Sequence, residues 1–160
     1  MVKVLRLAIL VTLLSLALLA GPGAAATMGS IGKERVNIRA RPSLRSPVRC
    51  RAELGQPLQL ERRQDNWVFV HDWKGNAGWV YRSLISRIRT VIVLAAKANL
   101  RQAPGLKNRV VGQASRGEVY KIFGSRGNWV KIGYYLEDEV IGWIHGDLVW
   151  GLKPRRWPQH

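Results

Sequence analysis

The chain has 160 residues, with 26 lysine and arginine side chains against 10 aspartate and glutamate side chains, which gives a formal net charge of +16 at pH 7. A charge of this size draws anionic partners from a distance. Cys50 is the single cysteine, so an internal disulfide is excluded.

Residues 1–26 are predicted to be a signal peptide. Lys3 and Arg6 precede an apolar run over residues 7–20, and three alanines ending at Ala26 form a small-x-small cleavage pattern. An uncleaved membrane anchor is the alternative, but the run is shorter than the roughly 20 residues that a helix needs to cross a bilayer. No cysteine lies directly after the run, which disfavours attachment of a lipid. We therefore expect cleavage near Ala26 and a periplasmic or secreted protein with no transmembrane anchor after cleavage.

The sequence after the signal contains one module twice. The matching positions are mainly glycine, proline, asparagine, tryptophan and aliphatic residues. Examples are the pairs Asn37 and Asn99, Arg39 and Arg101, Pro42 and Pro104, Gly55 and Gly117, Trp67 and Trp129, and Trp79 and Trp143. Such residues shape a backbone and fill a core, whereas histidine, cysteine, serine and carboxylate groups do chemistry. The repeat therefore favours a binding or scaffolding protein.

Short β-strands are predicted in both copies. Residues 67–70 and 129–132 alternate with a period of two, and Lys131 marks the face in water. The side chains predicted to point into the core are Val68, Val70, Val80, Val130, Ile132 and Ile144. The tryptophans of these strands are predicted to lie on the opposite face. Because each pair of strands forms a hairpin, we expect Trp67 to lie across from Trp79, and Trp129 across from Trp143.

The pattern of short strands and turns predicts an all-β fold with no sustained helix. Each copy has the length of a small, partly open barrel. We place copy one at residues 30–88 and copy two at residues 91–150, followed by a basic C-terminal tail at residues 151–160. The connection at residues 86–90 is not enriched in glycine, serine or proline. We therefore expect the copies to pack closely rather than to swing freely.

Several of these residues resemble a known family. Residues 36–43 and 98–105, the turns at Gly55 and Gly117, and a closing Gly-Trp-Val or Gly-Trp-Ile followed by Leu84 or Leu148 resemble the bacterial SH3-like (SH3b) domain. The whole arrangement is similar to exported tandem SH3-like proteins of Gram-negative bacteria. The resemblance implies two SH3-like barrels in tandem after a signal peptide. It also implies a cell-wall-targeting or protein-interaction module, of the kind that is attached to peptidoglycan hydrolases.

The two copies differ in the loop of the predicted hairpin. Copy two carries Glu137, Asp138 and Glu139 where copy one carries Lys74 and Gly75. This difference leaves open whether the copies bind the same partner.

No catalytic, metal or cofactor site is predicted. Cys50 with His71 or His145 is the only set that offers a nucleophile and a base. Cys50 lies in a predicted strand with no helix N-terminus to lower its pKa, although Arg49 and Arg51 would favour the thiolate somewhat. Three scattered histidines make no ligand cluster. We expect a protein without enzymatic activity.

The candidate ligand-binding residues are aromatic and arginine side chains: Trp67, Trp73, Trp79, Tyr81, Trp129, Trp143, Arg39, Arg41 and Arg101. Outward tryptophans could stack on sugar faces or peptide side chains, with arginines for carboxylates. The structural alternative is that loops or the neighbouring domain cover the tryptophans, and that each Asn-x-Arg strand ties down the chain. Trp73 and Trp157 are not explained by the repeat. We expect these two to be exposed for a partner.

The basic charge is concentrated in copy one, where six arginines lie between Arg35 and Arg51. Export makes nucleic acid an unexpected partner and leaves anionic wall polymer, lipid headgroups or an acidic protein. We therefore expect an exported, non-catalytic protein that binds peptidoglycan, its stem peptides or other anionic cell-envelope material. One alternative is a protein-interaction adaptor that docks an envelope enzyme such as a wall hydrolase. Weak attachment to anionic membrane surfaces is another, and the charge alone is also compatible with simple solubility.

Overall fold

A computed structural model describes residues 26–157, which fold into β-strands and two short 3-10 turns. The all-β prediction is confirmed. The predicted signal peptide lies outside the described residues, apart from Ala26. Within the described part of the chain, no helix has the length and hydrophobicity needed to span a membrane.

The first seven strands form one antiparallel sheet, which we call domain 1. They are β1 (Thr27–Ile31), β2 (Val36–Arg39), β3 (Val48–Ala52), β4 (Pro57–Gln64), β5 (Trp67–His71), β6 (Ala77–Tyr81) and β7 (Ile85–Ser86). Their order in the sheet is β3-β2-β6-β5-β4-β1-β7, and a 3-10 turn at Arg82–Leu84 joins β6 to β7.

The next seven strands form a second sheet, domain 2. They are β8 (Thr90–Val93), β9 (Lys97–Arg101), β10 (Val110–Ser115), β11 (Val119–Arg126), β12 (Trp129–Gly133), β13 (Val140–His145) and β14 (Val149–Trp150). The order β10-β9-β13-β12-β11-β8-β14 repeats that of domain 1 strand for strand, with a 3-10 turn at Gly146–Leu148. The sequence repeat is therefore a repeat of the whole topology.

Each domain encloses its own apolar core. The core of domain 1 is built from Ile31, Val36, Ile38, Ala52, Leu58, Val68, Val70 and Val80. The core of domain 2 is built from Val91, Val93, Ala98, Leu100, Ala114, Tyr120, Val130, Ile132, Ile144 and Val149. All six side chains predicted from the alternating pattern to point inward do so.

The predicted pairing of tryptophans across the hairpins was wrong. Trp67 lies opposite Tyr81, and Trp79 lies opposite Phe69. The reason is the loop after β5, in which the backbone N–H of Asp72 donates to the Asn76 carbonyl and closes the turn with His71 opposite Ala77. A register set at the turn holds along the whole hairpin.

The hairpin of domain 2 differs from the prediction in the same way. Trp129 lies opposite His145, and Trp143 lies opposite Lys131. A bulge between Ile132 and Gly133 shifts the pairing near the loop.

The two domains are in direct contact. The hydroxyl of Thr90 donates to the carbonyl of Gly55 at 2.7 Å, and the hydroxyl of Tyr135 donates to the carbonyl of Ile31 at 3.3 Å. Gly55 has a φ of +77°, and a Cβ there would lie 2.9 Å from the ring of Tyr135 in domain 2. Glycine at this predicted turn therefore serves both the backbone conformation and the close approach of the neighbouring domain.

The C-terminal tail also contacts domain 1. The ring of Trp157 stacks on His71, with the ring centroids 4.9 Å apart and the planes 6° from parallel. The expectation that Trp157 is exposed was wrong, because the repeat gave no sign of a partner for the tail in the other domain.

Candidate functional site

An open groove of about 340 Å³ lies on domain 2. Strand β9, the loop after it, β12, β13 and the second 3-10 turn all contribute to its walls. The lining residues are Lys97, Ala98, Asn99, Arg101, Leu106, Trp129, His145 and Leu148. It combines an aromatic ring, aliphatic side chains and two cations, of which Trp129 and Arg101 were predicted from the sequence.

The loop between β9 and β10 forms one wall and is braced from within. Arg101 donates from Nη1 to the carbonyl of Asn108 at 2.7 Å, and the Asn108 amide donates to the carbonyl of Pro104 at 3.0 Å. The loop holds Leu106 at the rim with 74% of its surface exposed. Since a guanidinium has five N–H donors, Arg101 keeps donors for a carboxylate after bracing the loop.

The opposite wall is aromatic. Trp129 and His145 face each other across β12 and β13 and pack edge to face, with centroids 5.1 Å apart. Asn128 Nδ2 donates to Asp147 Oδ1 at 2.9 Å, beside the imidazole of His145. His145 covers part of Trp129, and the rest of the tryptophan ring remains accessible, so the residue is half-buried. Such a ring can stack on the apolar face of a sugar or on a peptide side chain.

Domain 1 has the same strands but a closed aromatic surface. Trp67 and Trp79 are only 9% and 8% exposed. Trp67 packs edge to face on the half-buried Tyr81 at 5.3 Å, and Trp79 packs on Phe69 at 5.3 Å. Arg62 covers both of the latter rings, with its guanidinium carbon 3.8 Å from the Phe69 centroid. The tryptophans of this domain are covered by side chains of neighbouring strands in the same sheet, whereas the structural alternative from the sequence had named loops or the other domain.

The remaining predicted aromatic residues are partly accessible. Trp73, in the loop between β5 and β6, and Trp143 on β13 are both half-buried. A lysine ammonium lies 5.2 Å from the ring centroid in each case, Lys74 at Trp73 and Lys131 at Trp143. Neither ring lines the groove described above.

Arg39 repeats the bracing role of Arg101. Its Nη1 donates to the carbonyl of Ser46 at 2.8 Å, and the Ser46 hydroxyl accepts from the backbone N–H of Arg41. The tip of this loop exposes Leu44 by 73%, in parallel with Leu106. The Asn-x-Arg pattern thus ties down one loop in each domain. Sequence reasoning had proposed this role but missed the exposed leucine that each loop presents.

A basic surface lies on the loop and strand that follow Arg39. We define it by four exposed arginines: Arg41, Arg45, Arg49 and Arg51. Arg49 donates to the carbonyl of Ala77 and Arg51 to the Asn37 amide oxygen, so two of them are anchored by neutral groups. Among residues 26–157, the ion pairs are His71 with Glu61, Lys121 with Asp138 and His145 with Asp147. The positive charge of the basic surface is therefore not neutralised by carboxylates of the described chain.

Cys50 has no features of an activated nucleophile. Burial raises the pKa of its thiol, the nearby Asp72 carboxylate adds to the rise, and Arg49 and Lys74 only oppose it. Arg49 favours the thiolate as expected, but the loss of hydration on burial outweighs it. In the part of the chain that the structure describes, no group of three or more histidine, cysteine or carboxylate side chains is arranged to hold a metal ion.

Each copy of the repeat matches a known protein family. Residues 32–87 match one family described as bacterial SH3 domain, and residues 96–149 match a second family with the same description. The chain is a tandem bacterial SH3 domain protein. The first match begins after β1 and contains β2 to β7, and the second begins after β8 and contains β9 to β13. The family that the sequence resembles is thereby confirmed.

This tandem bacterial SH3 domain protein has a distant curated relative. It is 22% identical over 130 residues to the candidate N-acetylmuramoyl-L-alanine amidase YrvJ of Bacillus subtilis (strain 168). The match covers 74% of this chain and 24% of the relative, so the chain spans about a quarter of that protein's length.

Solved structures resemble the tandem bacterial SH3 domain protein only weakly. One is NlpC2 from Trichomonas vaginalis, with a TM-score of 0.35, 14% identity, and coverage of 78% of this chain and 48% of that one. Another is an NlpC/P60 family protein from Bacillus cereus ATCC 10987, with a TM-score of 0.37, 13% identity, and coverage of 77% and 55%. Likenesses of this strength carry no functional argument.

Proposed function

We propose that this protein is an exported, non-enzymatic binding protein of the bacterial cell envelope. Its ligand is peptidoglycan, bound through the sugar or stem-peptide face of the polymer in the groove of domain 2. The observation that carries the proposal is the composition of that groove, in which Trp129 faces the solvent beside the cations Lys97 and Arg101. Peptidoglycan offers the matching groups, since its sugars have apolar faces and its stem peptides carry carboxylates.

The basic surface of domain 1 supports the same ligand in a different way. Four exposed arginines without carboxylate partners create a positive field that concentrates the protein near an anionic polymer. An exposed arginine contributes little specificity, because mobile ions screen it. We assign attraction to the basic surface of domain 1 and recognition to the groove of domain 2.

The relative adds circumstantial support. YrvJ is named for an amidase that acts on N-acetylmuramoyl-L-alanine, and the present chain matches about a quarter of it. We infer that this chain provides binding without the hydrolytic activity. Burial raises the pKa of the Cys50 thiol, and this disfavours the thiolate that a cysteine nucleophile would need.

The test is co-sedimentation of the protein lacking residues 1–26 with purified sacculi that carry no other protein. We expect the protein to pellet with the sacculi and to release no soluble muropeptides on prolonged incubation. Absence from the pellet at every salt concentration would contradict wall binding and favour the adaptor. Release of soluble fragments by the purified protein would contradict the non-enzymatic assignment.

A further inference from the structure

Residues 151–157 of the C-terminal tail lie across the junction and contact domain 1. Arg89, in the connection between the domains, donates from Nη2 to the carbonyls of Gly151 and Leu152. Gly151 is buried, and a Cβ there would lie 3.1 Å from the Cβ of Pro57 in domain 1. The tail is therefore directed onto β4 from its first residues.

Gln59 on β4 binds the backbone of the tail. Its amide Nε2 donates to the carbonyl of Arg155 at 2.9 Å, and the backbone N–H of Arg155 donates to Oε1 at 2.7 Å. Gln59 is 1% exposed. The Gln59 side chain thus satisfies both backbone polar groups of Arg155, as a neighbouring strand would. Because Gln59 is buried, loss of either hydrogen bond would be costly.

Two residues further on, the tail places an aromatic ring on domain 1. Trp157 stacks on His71, which lies opposite Gln59 in the sheet. Glu61 Oε1 lies 3.2 Å from Nε2 of His71 and fixes the imidazole on its other side. A Cβ on Gly75 would lie 3.4 Å from the Trp157 ring, which is an ordinary contact distance, so the turn at Gly75 lies against the ring.

Domain 1 contacts the main chain of Arg155 and the ring of Trp157, and not the basic side chains of the tail. Arg155 and Arg156 are exposed, and the Gln59 bonds use only the main chain of Arg155. Domain 2 has no counterpart of the arrangement. Gln59 pairs with His71 in domain 1, and the equivalent pair in domain 2 is Lys121 with Gly133. The arrangement is therefore a feature of domain 1 and not of the fold that both domains share.

We propose that Gln59, Glu61, His71 and Gly75 form a binding site for an extended polypeptide segment that carries an aromatic ring two residues after the backbone-paired residue. The chain's own tail occupies the site in the present structure. Because the tail is covalently attached close by, its effective concentration is high and it excludes weak competitors. Release of the tail would open the site to a partner protein with a segment of the same chemistry. This function goes beyond wall binding and does not depend on it.

The test uses the full chain opened by substitution. Trp157→Ala removes the ring, and Arg155→Pro removes the N–H that donates to Gln59. Arg156→Pro is the matched control, because it introduces proline at the next residue, whose N–H does not bond to Gln59. The probe is a fluorescently labelled, amidated peptide with the sequence of residues 152–157, followed by anisotropy. We expect the opened variants to bind it at least tenfold more tightly than the wild type or Arg156→Pro. A probe with alanine in place of tryptophan should not bind.

A second substitution separates site binding from nonspecific attraction of a basic peptide. Adding His71→Ala to Trp157→Ala should abolish binding of the probe. No binding by folded opened variants, or binding that survives His71→Ala, would overturn the proposal. A chain ending at Pro154 serves as a second opened form. If every opened form failed to fold by circular dichroism, the tail would be an integral part of domain 1, and the proposal would be overturned as well.

Discussion

Trp67 and Trp129 occupy the same position of the repeat and have different surroundings. Trp67 is buried against Tyr81, whereas Trp129 packs on His145 and lines an open groove. The partner across the hairpin therefore differs between the domains. A second pair of equivalent tryptophans, Trp79 and Trp143, also differs in its cover. Arg62 lies over the aromatic rings of domain 1, and the bulge of β11 places Gly124 at the corresponding point of domain 2.

The cover by Arg62 is testable at the level of one side chain. We expect Arg62→Ala to lower the free energy of unfolding by about 1 kcal/mol, since an exposed cation over an aromatic face contributes about that much. Trp79 should also become more accessible to acrylamide quenching. Arg63→Ala, next to it and equally exposed, is the control and should change neither quantity. Equal effects of the two substitutions would show that general charge, rather than the contact with the rings, is responsible.

Cys50 provides a prediction on pH dependence. Because burial raises the pKa of the thiol, less thiolate is present in the folded protein than in the unfolded chain at the same pH. We expect the midpoint of the alkylation rate against pH to lie higher for the folded protein than for the protein in urea. The same raised pKa means that any stability from this group is present below the unfolded pKa and is lost as the pH rises above it. A lower midpoint in the folded protein would contradict the assignment of Cys50 as an inert thiol.

At the scale of elements, the hairpin loops distinguish the two domains. The loop after β5 is organised by Asp72, which is 3% exposed and accepts hydrogen bonds from the backbone N–H groups of Lys74 and Asn76 and from the Asn76 amide. The corresponding loop of domain 2 carries exposed acidic residues, of which Asp138 reaches outward to Lys121. One loop is therefore held by a buried acceptor and the other by a surface ion pair.

We expect Asp72→Ala to lower the free energy of unfolding by about 1–3 kcal/mol. The substitution leaves two backbone donors of the turn without their acceptor, and such losses in partly buried loops have that size. Asp138→Ala is the control in the matching loop of domain 2 and should have little effect. Urea denaturation of both variants measures the difference. A larger loss for Asp138→Ala would contradict the account of the two loops.

The alternating pattern was sufficient to predict which side chains of the hairpins enter the core. Val68 and Val130 were placed correctly because the period of two is a local property of a strand. Cross-strand partners were predicted wrongly, since they depend on the turn at Asp72 and on bulges that the alternation does not encode. The groove was half predicted. Trp129 and Arg101 follow from the repeat, but Leu106 becomes part of the site only through the bracing of its loop.

At the scale of the whole molecule, two domains with the same topology present different surfaces. Domain 2 carries the open groove, and domain 1 carries the basic surface and the site that the tail occupies. Hydrogen bonds between Thr90 and Gly55 and between Tyr135 and Ile31 join the domains. The repeat in the sequence shows what the two copies share. Their surfaces differ because of the positions at which the copies differ, such as Gln59 in domain 1 and Lys121 in domain 2.

Recognition by the groove and attraction by charge respond differently to salt. Exposed charges are screened beyond a Debye length of roughly 8 Å at physiological ionic strength, whereas burial of an aromatic ring does not depend on counterions. A substitution in the basic surface, Arg41→Gln with Arg45→Gln, should therefore weaken binding mainly at low salt. A substitution in the groove should weaken binding at both low and high salt.

The most direct test is the affinity of the protein for purified sacculi at low and high salt, compared between wild type, Trp129→Ala and Trp73→Ala. We predict that Trp129→Ala loses about 1–3 kcal/mol of binding free energy at both salt concentrations, as expected for an aromatic anchor. Trp73→Ala removes a half-buried tryptophan outside the groove and should retain its affinity at high salt. An unchanged affinity of Trp129→Ala at high salt, or a loss confined to Trp73→Ala, would contradict recognition by the groove of domain 2.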